Sequence, residues 1–201
     1  CSCAFEKGEF RFAVVEHPGE VNKFRGSKYV KSDPSGAYKA VRELLAGGRK
    51  VLFVGLPCQV SAMRNYIDNS LAGLLYTIDL ICHGTPSLQL LEMFLREKDI
   101  ALVGLDGITF RNKGSFQVAE GGVTIETEGV TDRYLLAFLE GLSYTENCYS
   151  CAYARTARVS DLTLGDSWGS ELVDEVPMGI SLALCQTQKG KELIEDADLM
   201  L

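Results

Sequence analysis

The chain has 201 residues, 46% of them hydrophobic and 23% charged, with a formal net charge of −7. That length supports one well-buried domain. The acidic balance excludes the basic face that a nucleic-acid binder presents, and no apolar run reaches the roughly 20 residues of a membrane-spanning helix. In chain order, the first 30 residues read as strands, with EFRFAVVE loosely alternating, HPGE turning and GSKYVKS following. Asp33-Pro34 predicts a helix start with proline at its first position, running through AYKAVRELLA to a stop at Gly47-Gly48. KVLFVG is a short apolar run of buried-strand type, and LPCQVSAMRNYI follows with Val60, Met63 and Ile67 at helical spacing. LLYTIDLIC predicts a second buried strand, interrupted by Asp79, and Thr85-Pro86 opens the amphipathic helix SLQLLEMFLREK.

Residues 34–98 therefore form a predicted α/β unit with parallel strands. GITFRNK, SFQVAE and GVTIET predict an antiparallel meander, TDRYLLAFLEGL a helix leading to Cys148, and the tail a strand (GISLALC) with a charged helix (QKGKELIEDADL). The expected fold is α+β, with a mixed sheet, in a single domain over residues 1–201. The opening CSCAFEKGEF lacks an initiator methionine and reads as a strand, which suggests a fragment truncated at its N-terminus.

Seven cysteines are an odd number in a chain with an adequate core, which argues against a disulfide scaffold and for metal-bound thiols in a reducing, cytoplasmic compartment. Four stand out. Cys58 follows a strand and lies at a predicted helix start, where the helix dipole favours thiolate. Cys82 ends the next strand, and carboxyl ends of strands are where open α/β sheets bind ligands. Cys148 and Cys151 form a Cys-x-x-Cys pair that admits three readings: half of a zinc site, a redox dithiol, or two ligands of an iron–sulfur cluster. Scattered strand-end ligands suit a cluster better than the paired knuckles of structural zinc. For each lone cysteine the plain alternative is a buried structural thiol. Cys1 and Cys3 share strand parity, and Cys185 reads as core.

SDLTLGDSWG places Asp161, Gly165, Asp166 and Trp168 where glycine would let backbone approach a ligand, or where a strand simply ends in a turn. FRGSKYVKS offers Ser27 and Lys28 as phosphate or flavin contacts, or as a solvated basic turn. Arg111 and Lys113 flank a predicted hairpin turn at Asn112-Lys113-Gly114 and are candidates to face an anionic cofactor. His83 adjoins Cys82, so a hydrogen-bonding role is expected of it; no catalytic residue is assigned.

Taken in order, GSKYVKSD, VLFVGLPCQVSAMR, IDLICHGTPS, ITFRNK and CYSCAYARTARVSDLTLGDSWG resemble the coenzyme F-420 hydrogenase/dehydrogenase beta-subunit family, in its bacterial iron–sulfur branch. The resemblance implies an α+β oxidoreductase domain with one 4Fe-4S cluster and FAD, relaying electrons between a ferredoxin or ferredoxin-like domain, the flavin and an unidentified substrate. It implies Cys58, Cys82, Cys148 and Cys151 as cluster ligands. It places Ser27, Lys28, Tyr29 and the segment holding Asp161, Gly165 and Asp166 near the flavin. Longer relatives begin with a ferredoxin-like domain that this sequence lacks, and the truncated start weakens the case for FAD. Two competing expectations remain: a non-catalytic electron-transfer subunit, and a zinc-stabilised binding domain.

Overall fold

The computed structural model describes residues 1–111, 116–127, 129–167, 171 and 179–197. The chain divides into two compact units: one of Cys1–Ser2, Gly36–Cys82 and Ala152–Leu201, the other of Cys3–Ser35 and His83–Cys151. Helices combine with a mixed sheet and antiparallel sheets, which is the expected α+β class.

In the first unit, α1 (Ala37–Ala46) precedes β3 (Val51–Gly55), α2 (Pro57–Tyr66) and β4 (Leu75–Leu80); β8 (Leu162–Asp166), β9 (Ser181–Cys185) and α6 (Gln188–Glu195) complete it. The sheet order is β3-β4-β8-β9, parallel except for β9. The β3–α2–β4 crossover is the parallel-strand unit expected from the sequence. Val51 and Phe53 of β3, Val41 and Leu45 of α1, and Val60 and Met63 of α2 are buried together with Leu75 and Leu162. Their periods, two along the strands and 3.6 along the helices, are those visible in the sequence. α1 begins three residues later than predicted. Asp33 accepts the Ser35 amide on Oδ1 at 2.8 Å, and Gly36 takes φ 79°, so no helical turn can close before Ala37. Its stop at Gly47 falls where expected.

In the second unit, β1 (Ser2–Glu6) and β2 (Glu9–Ala13) form a two-stranded sheet. The turn between them is Lys7-Gly8, both at positive φ (53° and 79°), a combination that matches strand twist. HPGE and its flank are not extended: Pro18–Phe24 is a 3₁₀ helix with proline in its first turn. GSKYVKS forms no strand of its own. α3 (Leu88–Arg96) is capped by Ser87, whose Oγ accepts the Leu90 amide at 3.2 Å. Pro86 is held extended opposite Tyr144 and accepts the Lys31 amide, so this helix also starts later than predicted.

The meander is real but short: β5 (Ile108–Thr109), β6 (Ala119–Glu120) and β7 (Val123–Thr124) pair antiparallel in that order. α4 (Arg133–Leu139) follows, capped by the buried Asp132, and α5 (Glu146–Tyr149) carries Cys148. Phe10, Leu91, Phe94, Leu95, Phe110, Tyr134, Leu135 and Phe138 make one continuous core. The predicted turn at residues 112–114 lies outside the described residues, as do Trp168 and Gly169.

Candidate functional site

In the first unit, the β3–β4 register pairs Gly55 with Asp79. Cys58 and Cys82 each follow that pair by three residues in sequence, Cys58 in the first turn of α2 and Cys82 just past the end of β4. Cys58 is the second residue of α2, after Pro57, and Gln59 secures that turn by accepting the Leu56 amide on Oε1 at 2.9 Å. The unsatisfied N–H groups of a first turn favour negative charge nearby. The β4–β8 ladder is extended by Ile81, whose amide donates to Leu164 O at 2.8 Å, and this fixes the chain entering Cys82. Both cysteines are half-buried.

Asp161, expected near a cofactor, is fully buried and engaged within the fold. Its Oδ2 accepts from the Thr77 amide and hydroxyl, both at 2.8 Å, and its Oδ1 accepts from the Thr187 hydroxyl at 2.8 Å, with Arg64 at 3.4 Å. Gly165 makes its close approach to protein: a Cβ there would lie 2.6 Å from Ile81 Cδ1. Asp166 ends β8, in register with Ser181 of β9.

A second carboxylate of this unit was passed over in the sequence, where Asp79 registered only as an interruption of an apolar run. It is 0% exposed, and neither of its oxygens has a hydrogen-bond partner among the described residues; the buried Nη1 of Arg158 lacks one too. The signal was present: an aspartate inside a strand otherwise fit for burial, three residues before a strand-end cysteine.

In the second unit, Cys148 lies within the first turn of α5, with Thr145 Oγ1 3.2 Å and Thr85 Oγ1 3.9 Å from its sulfur. Burial pushes this thiol up, but the Thr145 and Thr85 hydrogen bonds and the Lys31 charge outweigh it and leave it below the ordinary cysteine range. Neither threonine was singled out from sequence, although Thr145 occupies the helix-cap position. Cys151, just past α5, is an exposed thiol. His83 bonds through Nδ1 to the Tyr144 hydroxyl and packs on Phe138, ring centroids 4.6 Å apart. Burial holds its imidazole below the usual histidine range.

The flavin candidates of this unit fare unevenly. Lys28 donates to three backbone carbonyls, of Phe24, Arg25 and Gly26, at 2.9, 2.9 and 3.1 Å, and so ties its own loop. Tyr29 stacks on Phe138 at 4.9 Å, and its carbonyl accepts the Tyr134 hydroxyl. Arg111 lies over the Phe116 ring at 4.8 Å. Ser27 is exposed. Lys113 lies outside the described residues.

Among the described residues, no three histidine, cysteine, aspartate or glutamate side chains are gathered as a metal site. Cys58 and Cys82 belong to the first unit and Cys148 and Cys151 to the second.

An α+β chain with strand-end thiols and a hydroxyl-bonded Cys-x-x-Cys cysteine has the character of a redox subunit. Residues 48–200 match the family model for the C terminus of the coenzyme F420 hydrogenase/dehydrogenase beta subunit, and the chain belongs to that family. The fold is similar to a chain of the xenon-derivatised F420-reducing [NiFe] hydrogenase complex from Methanosarcina barkeri, at 20% sequence identity and a TM-score of 0.63. That match covers 98% of this chain and 65% of the other, so this chain spans about two thirds of its neighbour's length. No curated protein matches it.

Proposed function

We propose that this chain is an oxidoreductase domain that relays electrons through a 4Fe-4S cluster ligated by Cys58, Cys82, Cys148 and Cys151. A ferredoxin or ferredoxin-like domain is the proposed exchange partner and a cytoplasmic setting the proposed location. The observation that supports the reading is that Cys58 and Cys82 each follow, by three residues, the Gly55–Asp79 pair of two adjacent parallel strands. Family membership supports the redox assignment.

The donor set fits such a cluster in chemistry, because Cys58, Cys82, Cys148 and Cys151 are four thiol side chains and thiolates are its usual ligands. When bound, a cluster of this kind supplies one-electron transfer. The chain's own residues prepare the thiols: the first turn of α2 presents N–H groups beside Cys58, and the Thr145 and Thr85 hydroxyls favour Cys148 as thiolate. FAD fits less well. Two of its expected contacts, Lys28 and Asp161, are engaged by the protein itself, and Ser27, Tyr29, Arg111 and Asp166 remain as candidates. No step is derived through a flavin. The same observation favours a second reading, in which the chain passes single electrons to a partner and does no substrate chemistry itself.

Anaerobic purification with cluster reconstitution tests both, with iron, sulfide, zinc and flavin assayed on one sample. About four irons and four sulfides per chain, lost in Cys58→Ser and Cys151→Ser, are the expected result. Bound FAD with substrate turnover selects the enzyme; a cluster without flavin selects the relay. Zinc in place of iron sinks both.

A further inference from the structure

The four-stranded sheet of the first unit treats its two edges differently. At β3 the edge is closed: the Cys1 amino group donates to Leu52 O at 2.7 Å, and the Val54 amide donates to Cys1 O at 2.9 Å. At β9 it is open. β9 is bonded to β8 on one side, and among the described residues no strand pairs with its other side.

The ladder with β8 decides which groups face outward. Ile180 O accepts the Ser167 amide, and the Gln186 amide donates to Asp161 O, so at both ends of β9 an even-numbered residue turns toward the β8 segment. Pairing alternates along an antiparallel strand. Ser181, Ala183 and Cys185 therefore point their N–H and C=O groups away from the sheet, and all three are exposed. An edge of this kind templates a further strand unless charge, proline, a bulge or a cover blocks it. SLALC has no charge and no proline, and its register runs unbroken from Leu162–Cys185 to Asp166–Ser181, without a bulge. Leu182 remains 38% exposed.

We propose that β9 is a self-association edge, pairing antiparallel with β9 of a second copy about a two-fold axis at Ala183. The strand itself selects this occupant, because its pattern reads the same in both directions: Leu182 and Leu184 flank Ala183, and the small Ser181 and Cys185 flank those. With the axis at Ala183, every outward-facing residue meets another, Ala183 its own equivalent and Ser181 the Cys185 of the second copy. Leu182 meets Leu184 of the second copy in the closer, non-hydrogen-bonded kind of pair, on one face of the joined sheet. A slip of one residue would set outward-facing groups against inward-facing ones. Charge allows the contact too. In a chain of net charge −7, Gly179–Thr187 holds no charged residue, so the two copies meet without like-charge repulsion along the seam. Standard interfaces use roughly 20–30 residues a side, whereas β9 supplies five; the dimer is therefore reversible and concentration-dependent. No cofactor takes part, so the pairing is independent of the cluster reading.

The test is sedimentation of the full chain under reducing, anaerobic conditions across a concentration series, with amide hydrogen exchange on the same samples. The wild type is expected to pass from monomer to dimer, and the Ser181, Ala183 and Cys185 amides to gain protection as it does. Ala183→Pro removes the amide at the axis and no bond to β8, because that amide faces outward; this chain should fold and stay monomeric. Ala183→Lys sets two ammonium groups opposite each other and should weaken the dimer several-fold, which decides the matter if the proline chain fails to fold. Register is read in Ser181→Cys. Oxidised glutathione is expected to link the introduced thiol to Cys185 of the second copy, and peptide mass spectrometry identifies the link.

A wild type that stays monomeric at every concentration overturns the proposal. So does a dimer that the Ala183 variants leave intact, which would use another surface. A dimer joined from Cys185 to Cys185 overturns it as well, because that link belongs to a different register.

Discussion

At the scale of single residues, Thr145 and Gly84 carry the clearest consequences. Thr145 offers its hydroxyl to Cys148 at 3.2 Å, and this contact is the leading influence favouring the thiolate against burial. Replacing it with valine keeps the shape and removes the donor. In the cofactor-free chain, Thr145→Val should slow alkylation of Cys148 at neutral pH several-fold, because reactivity follows thiolate fraction. Mass-spectrometric mapping of each labelled cysteine checks this, and an unchanged rate would rule the hydroxyl out as a cause. Gly84 has φ 142°, and a Cβ there would sit 2.6 Å from the Tyr144 ring, the partner of His83. Gly84→Ala should therefore cost about 1–3 kcal/mol, read as a lower Tm, and should displace the Tyr144 resonances.

At the scale of elements, the tightest seam is that between α6 and the start of β8. A Cβ on Gly190 would lie 1.9 Å from the Asp161 carbonyl oxygen, so only glycine lets the helix approach this closely. Asp161 also anchors the start of α6 by accepting from Thr187, the helix cap. Gly190→Ala should push the helix off the strand and destabilise the chain by about 3 kcal/mol or more, measurable by denaturant titration. A loss below about 0.5 kcal/mol would mean that the seam yields freely.

Elements of this kind were unevenly legible in the sequence. β3 and β4 were plain, because VLFVG and LLYTIDL are short apolar runs of buried-strand type, too short for a typical helix. Two helix starts, those of α1 and α3, are misplaced because Pro34 and Pro86 read as first helical residues, whereas α2 does begin at Pro57. Pro34 follows an aspartate that folds back on the Ser35 amide, and Pro86 pairs with Tyr144, a contact that sequence distance conceals. The cysteines stand out in the sequence because few residue types do their chemistry, and their role as ligands is a proposal. Lys28 and Asp161 were read as ligand contacts because a charge looks the same whether it meets a cofactor or a carbonyl of its own loop.

For the molecule as a whole, connectivity matters more than composition. The chain passes from one unit to the other after residues 2, 35, 82 and 151, so neither unit is one continuous segment. The core of the second unit needs Phe10 and Val30 as much as Leu91, Phe94 and Phe110. Residues 83–151 expressed alone should therefore remain unfolded, with no dispersed amide spectrum, whereas a dispersed spectrum would show that the N-terminal segment is dispensable. Among the described residues, no helix is long and apolar enough to cross a membrane.

The parallel pairing of β4 with β8 sets Ile78 beside Leu162, with a large part of the second unit in between along the chain. Closing a floppy excursion of roughly 80 residues costs about 4 kcal/mol of chain entropy. Much of that cost disappears if the intervening stretch is already structured and its ends are held. Synthesis runs in the same direction, since β8 leaves the ribosome only after residues 83–151 have been made. The expected order of assembly follows: residues 83–151 condense first on the already synthesised residues 3–35, and the central sheet is completed last, when β8 docks beside β4.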